Sequence, residues 1–216
     1  MTPEPAAVVF DLDGTLVLSE GRNRITWSAF FARYGVDADA DLLARVTGRR
    51  GRDSIAELGH LFPGRTIDQL SAEINEVEAE LDLPPIEAVP GAAALVRRIA
   101  DAGTPLAVVT SAVRPYTEAA LARLDVPGLF RVIVTAEDVR AGKPDPEGYL
   151  LACTRLGVDP AHAVGFEDSL AGVAAVKAAG MRCIAVTTTH PASELSAADV
   201  VVADLNDVDW PPQQAA

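Results

Sequence analysis

The sequence predicts an α/β protein whose doubly wound parallel sheet carries an inserted helical domain. Apolar, strand-like runs alternate with helical patterns over most of the 216 residues, which is typical of such a sheet. A long stretch near the N-terminus breaks this alternation, because it contains helical patterns alone. With 49% hydrophobic residues, the chain can build one core with a modest insertion beside it.

The strands of the predicted sheet are apolar runs that end in polar or turn-forming residues. The first begins at Val8 and ends in the acidic segment that starts at Asp11. Five further runs predict strands at residues 105–109, 132–135, 163–166, 183–186 and 200–202. Helical patterns between them predict helices at residues 92–102, 115–124, 146–156 and 169–179, the last followed by Gly180, where a glycine commonly ends a helix. Together these elements predict a Rossmann-like core.

The interruption covers about residues 19–83. Apolar residues recur there at helical spacing, and no run has the alternation of a strand. Pro84-Pro85 and Pro90-Gly91 then mark the return to the core. We therefore predict a core of residues 1–16 and 86–216 and a helical cap domain of residues 17–85, with two linkers that let the cap close over the strand ends and exclude water.

Composition and charge argue against several classes of partner. The net charge of −13 opposes binding to nucleic acid or to an anionic membrane, since both need a basic face. No apolar run approaches the roughly 20 residues of a membrane span, and Met1 to Glu4 lack the start of a signal peptide. We expect a cytoplasmic protein, a monomer with a dimer left open, buried free thiols at Cys153 and Cys183, and a loose tail from Pro211 onward.

Two carboxylates, Asp11 and Asp13, stand at the end of the first predicted strand. Because side chains alternate along a strand, both lie on one face, at the edge where open parallel sheets bind ligands. One carboxylate can attack phosphorus, and the second can protonate the leaving oxygen and later activate water. An acidic surface loop is the ordinary alternative, so this motif alone does not decide the function.

Three further segments with reactive side chains follow other predicted strands. Thr110-Ser111-Ala112 offers a hydroxyl and backbone N–H groups to an anion, Gly142-Lys143-Pro144 holds an ammonium in a stiff loop, and Glu167-Asp168 adds a second acidic pair. Each has a common alternative: helix capping for the hydroxyls and acids, and solvation for the lysine. Carboxylates clustered at one sheet edge raise each other's pKa or need a hard cation, most simply Mg²⁺.

In this order, the four segments resemble those of the haloacid dehalogenase superfamily of phosphotransferases with a helical cap of the first type. The resemblance covers the chain from Val8 to about Ala203. It implies that Asp11 is the nucleophile that forms an aspartyl phosphate, and that Asp13 is the general acid and base whose backbone carbonyl also binds the metal. The other implied roles are phosphoryl binding by Ser111, Ala112 and Lys143, and completion of the Mg²⁺ site by Asp168 and Glu167.

Particular positions distinguish the branches of this family. The β-phosphoglucomutase branch carries a histidine at the position of Asn23 and an acidic residue at the position of Leu18, so the resemblance favours a phosphatase. The presence of Asp13 disfavours dehalogenation, because halide leaves without a proton. A mutase-like isomerase and a non-catalytic module that binds a phosphorylated ligand remain the alternatives.

The cap segment Thr47-Gly48-Arg49-Arg50-Gly51-Arg52-Asp53 resembles the G-x-R loop of phosphatases that act on sugar and polyol phosphates, such as 2-deoxyglucose 6-phosphate and glycerol phosphate. This resemblance implies a small phosphorylated metabolite as substrate and Arg50 as the residue that recognises it. Which of arginines 49, 50 and 52 faces the site stays open. Glu76 is a further candidate, because it could bind substrate hydroxyls from the last cap helix.

Overall fold

The computed structural model describes residues 4–126 and 128–210. Its strands are β1 (Ala7–Phe10), β2 (Val17–Leu18), β3 (Glu87–Ala88), β4 (Leu106–Val109), β5 (Phe130–Val134), β6 (Ala163–Glu167), β7 (Arg182–Val186) and β8 (Val200–Val202). Its helices are α1 (Glu20–Arg33), α2 (Ala40–Ala44), α3 (Gly51–Leu58), α4 (Ile67–Glu80), α5 (Ala92–Asp101), α6 (Arg114–Arg123), α7 (Glu147–Leu156) and α8 (Leu170–Ala178). Six strands form one parallel sheet in the order β5-β4-β1-β6-β7-β8.

The predicted core is confirmed, with small shifts at the ends of its elements. The largest shift is at β5, which begins at Phe130 instead of residue 132. Gly180 follows α8 with a φ of 78°, the left-handed conformation expected of a glycine at this position. Parallel strands alternate with helices along the chain, as in a Rossmann-like fold.

Strand β1 lies inside the sheet, paired with β4 on one side and β6 on the other. Its side chains alternate between two apolar clusters: Val8 and Phe10 pack with α5 and α6, whereas Ala7 and Val9 pack with α7 and α8. Burial on both faces explains why β1 is a continuous apolar run. The chain connects β1 to its neighbours β4 and β6 through separate crossovers on opposite sides of the sheet. A crevice therefore opens at the carboxyl end of β1, where such sheets bind ligands.

Helices α1 to α4 form the cap and have an apolar cluster of their own. Residues 19–83, all of which the structure describes, contain helices and no β-strand, as predicted. Ten side chains form the buried part of the cluster: Trp27, Phe30, Phe31, Leu43, Val46, Ile55, Leu58, Phe62, Leu70 and Val77. A separate cluster of this size allows the cap to keep its shape while it moves relative to the core.

The two crossings between core and cap form a small antiparallel sheet that sequence analysis missed. Val17 of β2 lies opposite Ala88 of β3, and Leu18 lies opposite Glu87. β2 begins the predicted cap, residues 17–85, and β3 follows just after its end, so the crossings are joined by a ladder instead of running as two independent linkers. The exact domain boundaries stay a prediction.

Several other expectations concern the whole chain. Cys153 and Cys183 are buried free thiols, as predicted. Within the two described ranges, no helix combines the length and the apolar character that crossing a bilayer requires. Residues 1–3, which belong to the predicted N-terminal segment without a signal peptide, and the predicted loose tail from Pro211 onward lie outside the described residues.

Candidate active site

Asp11 follows β1 directly, so the strand presents its carboxylate at the crevice in the sheet. The residue is 5% exposed, and its Oδ1 accepts a hydrogen bond from Lys143 Nζ at 2.5 Å. Oδ2 is buried and has no hydrogen-bond partner among the described residues. A buried carboxylate oxygen without a donor is costly, so Oδ2 is an atom that a cation would stabilise.

Lys143 lies in the loop between β5 and α7 and is buried. Its Nζ donates to Asp11 Oδ1 and to Glu167 Oε1, each at 2.5 Å. Burial lowers the pKa of Lys143, but the neighbouring carboxylates of Asp11 and Glu167 outweigh this effect and raise the pKa above its usual value. The lysine therefore stays protonated and supplies a positive charge next to Asp11, as the sequence predicted for an ammonium in this loop.

Three buried carboxylates crowd the same point. Burial raises the pKa of Asp11 to about 8, Lys143 opposes the shift, and the charges of Glu167 and Asp13 add to it. Burial, together with Asp11 and Glu167, also raises the pKa of Asp168 well above its usual value. One oxygen each from Asp11, Glu167 and Asp168 lies within 4.8 Å of the others. These oxygen donors fit a hard divalent cation such as Mg²⁺, which would offset their mutual repulsion.

Both oxygens of Glu167 already accept hydrogen bonds. Oε1 accepts from Lys143 and from the Tyr149 hydroxyl at 2.8 Å. Oε2 accepts from the backbone N–H groups of Asp168 and Ser169 and from the Ser169 hydroxyl. The structure therefore places Glu167 as the group that holds Lys143, and its direct contact with a metal stays a prediction.

Asp168 is held by hydroxyl groups from two other loops. Thr15 Oγ1 donates to its Oδ1 at 3.3 Å, and Thr189 Oγ1 donates to its Oδ2. Thr15 belongs to the predicted acidic segment, whereas Thr189 lies in the loop after β7 and was missed by sequence analysis. A hydroxyl that follows a strand is the same signal that singled out Ser111, so the position of Thr189 after β7 could have suggested it.

Asp13 stands two residues beyond Asp11 and is partly exposed. Its Oδ1 accepts a hydrogen bond of 2.6 Å from the hydroxyl of Tyr116, which lies in the first turn of α6. Partial burial raises the pKa of Asp13 above its usual value, and the hydrogen bond from Tyr116 opposes the shift. The sequence pattern carried no signal for Tyr116.

Ser111 and Ala112 lie between β4 and α6, as predicted, and both line the main cavity. Ser111 also borders a small adjoining pocket that contains Lys143, so the two predicted phosphoryl-binding side chains converge. The N–H of Ala112 donates to Thr110 Oγ1 at 3.0 Å. The predicted use of the Ala112 N–H for phosphate therefore disagrees with this conformation, because the group is already engaged in a turn.

A cavity of about 430 Å³ lies between the cap and the carboxyl ends of the strands. Asp11, Asp13, Ser111 and Tyr116 line its core side. Helices α1 and α4 and the loop before α3 line its cap side with many polar groups: Glu20, Asn23, Arg24, Thr47, Arg49, Arg50, Arg52, Ser71, Asn75 and Glu78. The apolar side chains of Trp27, Leu43, Val46, Ile55 and Ile74 also line the cap side, so the cap offers both polar and apolar contacts to a ligand.

Glu76 is not one of the residues that line this cavity, contrary to its predicted role. It lies on the exposed side of α4, whereas Ser71, Asn75 and Glu78 of the same helix border the cavity. Residues three or four apart share a helix face, so 71, 75 and 78 fall together and 76 points elsewhere. Residue type suggested Glu76, but the rotation of the helix decides which side chain is available.

Arg50, predicted to recognise the substrate, instead joins the cap to the core. Its Nε and Nη2 donate to the two carboxylate oxygens of Asp53 at 3.0 and 2.8 Å. Its Nη1 donates to the carbonyls of Ala136 and Val139, both at 3.3 Å, and Nη2 also donates to the carbonyl of Arg140 at 2.9 Å. A guanidinium has five N–H groups, so this conformation leaves none of them for a substrate.

The neighbouring cap residues complete the contact with the core. Gly48 has a φ of 68°, and a Cβ at this position would lie 2.4 Å from the Cβ of Ser169, next to Asp168. Only glycine permits this close approach of the cap loop to the core. Arg49 pairs with Glu57 through Nη1, while its buried Nε has no partner among the described residues. Arg52 also lines the cavity and pairs with Asp68 through Nη1, so both Arg49 and Arg52 keep donors that Arg50 lacks.

The chain combines a Rossmann-like core and a helical cap with buried aspartates beside a lysine at the end of the first strand. This combination defines a haloacid dehalogenase-like hydrolase. The family model with that description, haloacid dehalogenase-like hydrolase, matches residues 8–186, and the chain belongs to this family. The resemblance found in the sequence is therefore confirmed.

Two relatives named as phosphatases match almost the whole chain. Validoxylamine A 7'-phosphate phosphatase of Streptomyces hygroscopicus subsp. limoneus is 45% identical over 203 residues, 94% of this chain and 95% of that protein. Hexitol phosphatase A of Escherichia coli (strain K12) is 37% identical over 204 residues, 93% of this chain and 91% of that protein. The protein is accordingly a phosphoric monoester hydrolase of this family.

A solved structure of β-phosphoglucomutase from Clostridium difficile has the same fold. It superimposes with a TM-score of 0.81 at 23% identity and covers 95% of this chain and 94% of that one. At this level of identity the likeness concerns the fold alone. The shared architecture therefore does not separate hydrolysis from isomerisation, and the site residues must be considered for that choice.

Proposed function

We propose that the protein hydrolyses a small sugar or polyol phosphate with Mg²⁺ through an aspartyl-phosphate intermediate. The observation that carries the proposal is the arrangement of Asp11 and Asp13 at one edge of a cavity of about 430 Å³, with Lys143 bonded to Asp11. A nucleophile, a fixed positive charge and a second carboxyl are the groups that transfer of a phosphoryl group to water requires.

The first step forms the intermediate. An oxygen of Asp11 attacks phosphorus, the bond from phosphorus to the ester oxygen breaks, and protonated Asp13 gives its proton to that oxygen, so a neutral alcohol leaves. Lys143 and the hydroxyl of Ser111 bind the phosphoryl oxygens. Lys143 already contacts Asp11 in the structure and favours its ionised form, but burial still leaves the pKa of Asp11 at about 8, so a bound Mg²⁺ would be needed to favour the carboxylate further.

The second step releases phosphate. Asp13, now a carboxylate, accepts a proton from water as the water oxygen attacks phosphorus, and the bond between phosphorus and Asp11 breaks. Asp13 ends protonated and Asp11 ends as a carboxylate, so both residues return to their starting states. The same carboxyl thus serves first as acid and then as base.

The metal site would use the carboxylates of Asp11 and Asp168 and the backbone carbonyl of Asp13, with Glu167 as a further candidate. The buried, unpartnered Oδ2 of Asp11 and the raised pKa values of Asp11 and Asp168 support this assignment. When bound, Mg²⁺ would offset the negative charge of these carboxylates and of the phosphoryl oxygens.

The cap supplies the groups that would bind the leaving alcohol. Asn23 of α1 and Ser71 and Asn75 of α4 line the cavity with amide and hydroxyl groups, and the Ser71 hydroxyl has no partner among the described residues. The buried Nε of Arg49 also has no hydrogen-bond partner among the described residues. Amide, hydroxyl and guanidinium groups of this kind suit a polyhydroxylated molecule. Relatives named for hexitol and validoxylamine phosphates support the same substrate class.

The isomerase alternative has less support from the site. Asn23 lines the cavity at the position where the mutase branch carries histidine, and an amide cannot exchange a proton near neutral pH. A non-catalytic role is not supported either, because Asp11 and Asp13 are both present and face the cavity.

The test is release of inorganic phosphate from a panel of sugar, polyol, glycolate and nucleotide phosphates with Mg²⁺. We expect the fastest release from a sugar or polyol phosphate and none after EDTA. The Asp11→Asn variant, purified identically, controls for contaminating phosphatase. A clear preference for nucleotides, or full activity in EDTA, would contradict the proposal.

A further inference from the structure

We propose that Tyr116 is a positioning residue for Asp13. The Tyr116 hydroxyl holds the Asp13 carboxyl group so that one defined carboxyl oxygen exchanges the proton with the leaving alcohol. The inference rests on the proposed function, since it assumes that Asp13 acts as the general acid. It adds a residue outside the four segments that suggested the chemistry.

The contact joins two elements that lie far apart in the chain. The Tyr116 hydroxyl donates to Asp13 Oδ1 at 2.6 Å, across 103 positions of sequence. Both residues line the cavity, so the contact lies where the leaving group would sit. At 2.6 Å, this contact lies at the short end of the range for O–H···O hydrogen bonds.

The tyrosine ring is held by its helix and by the core. Tyr116 packs against the apolar cluster on the α5 and α6 side of the sheet. The start of α6 is anchored on each side of the ring, because the N–H of Arg114 donates to Glu137 and the hydroxyl of Thr117 donates to the carbonyl of Val113. The hydroxyl is therefore presented from a fixed position, as a positioning residue requires.

The hydrogen bond also distinguishes the two oxygens of Asp13. A tyrosine hydroxyl has one proton to donate, and in a carboxyl group the unprotonated oxygen is the better acceptor. While Oδ1 accepts from Tyr116, a proton on Asp13 is therefore favoured on Oδ2. Removal of the hydroxyl leaves the carboxyl free to turn and lets the proton occupy either oxygen, so fewer encounters have the geometry for proton transfer.

This role predicts a dependence on the leaving group. Sorbitol 6-phosphate releases an alkoxide unless a proton is supplied, whereas p-nitrophenyl phosphate releases a stable anion that needs none. The ratio kcat/KM includes the step in which the leaving group departs and excludes later hydrolysis of the intermediate. We expect Tyr116→Phe to lower kcat/KM about 10-fold for sorbitol 6-phosphate and less than about 2-fold for p-nitrophenyl phosphate.

Two further variants separate positioning from structure. Tyr34→Phe removes the same atom from a cap tyrosine that donates to Glu73 away from the cavity, and it should change neither substrate's kcat/KM. In an Asp13→Asn background, Tyr116→Phe should cause no further loss, because the acid that it positions is gone. Thermal unfolding of Tyr116→Phe checks that the ring still packs.

The outcomes distinguish this proposal from the proposed function. Equal losses on both substrates, no loss on either, or a further loss in the Asp13→Asn background would each overturn the role of Tyr116 while phosphatase activity stands. If the wild-type enzyme releases phosphate from none of the sugar and polyol phosphates of the panel with Mg²⁺, the proposed function fails and the role of Tyr116 fails with it.

Discussion

Replacement of Arg50 by alanine should weaken cap closure and slow the hydrolysis of every substrate to a similar degree. The side chain is 17% exposed and makes three hydrogen bonds from the cap to core carbonyls, those of Ala136, Val139 and Arg140. Alanine removes all three bonds and also leaves Asp53 without its partner. The closed arrangement, in which the cap shields the carboxylates from water, loses stability relative to an open one.

The size of the effect follows from these bonds. A hydrogen bond to a charged group contributes about 1.5–3 kcal/mol when well formed, but two of these are 3.3 Å long and border the cavity, so about 1 kcal/mol each is appropriate. Their sum of about 3 kcal/mol corresponds to roughly a 100-fold shift in the ratio of closed to open molecules. The loss in kcat/KM should lie between about 10- and 100-fold. It is smaller than the full shift if the closed state is strongly favoured in the wild type, because part of the variant population then still remains closed.

The assay compares two substrates and one control variant. Arg50→Ala should lower kcat/KM by similar factors for sorbitol 6-phosphate and for p-nitrophenyl phosphate, because closure precedes both reactions. Arg45→Ala is the matched control, since Arg45 lies in the same cap and pairs with Glu57 at an exposed position; it should change kcat/KM less than about 2-fold. Small-angle X-ray scattering should show a larger radius of gyration for Arg50→Ala than for the control.

Two results would refute this reasoning. A loss confined to sorbitol 6-phosphate would mean that Arg50 turns from the core carbonyls to the leaving group, as the G-x-R resemblance suggested. Unchanged kinetics and scattering would mean that the remaining contacts, such as Gly48 against Ser169, suffice to close the cap.

Asp11→Asn should abolish turnover and keep the thermal unfolding profile of a folded protein, because an amide cannot attack phosphorus; substantial phosphate release would contradict covalent catalysis. With Asn23 in place of a histidine, glucose 1-phosphate with catalytic glucose 1,6-bisphosphate should give inorganic phosphate or nothing, and glucose 6-phosphate formed faster than phosphate would restore the mutase interpretation. Gly48→Ala should lower kcat/KM for both substrates like Arg50→Ala, because a Cβ would overlap Ser169; wild-type rates would show that the loop can shift. Partial burial raises the pKa of Asp138, but the backbone N–H of Thr135 and the Arg155 side chain outweigh it and lower the pKa to about 2. The stabilisation by ionised Asp138 is therefore present above about pH 4 and lost as the pH falls toward 2. In urea unfolding, Asp138→Asn should lower the free energy of unfolding by about 1–2 kcal/mol at pH 7 and by progressively less below pH 4. A difference that stays constant with pH would exclude the ionised carboxylate as its source.

The sequence was informative wherever local pattern has a general structural consequence. Asp11, Lys143 and Asp168 could be assigned to one edge because parallel strands bring their carboxyl ends together, whatever the details of packing. The positions of the core strands and helices follow from apolar periodicity in the same way. β2 and β3 were missed because each has two residues, too few for any periodicity to appear.

The roles of individual side chains at the cavity depended on the tertiary structure. Arg50 is occupied by carbonyls 86 to 90 positions away, and nothing in a residue's identity records where a distant carbonyl points. Tyr116 meets Asp13 across 103 positions for the same reason. Glu76 and Asn75 are adjacent in sequence, yet the rotation of α4 places only Asn75 at the cavity, because cap packing sets that rotation. Pattern thus determined which elements form and where their ends meet, while packing between distant elements decided which donors and acceptors remain for a substrate.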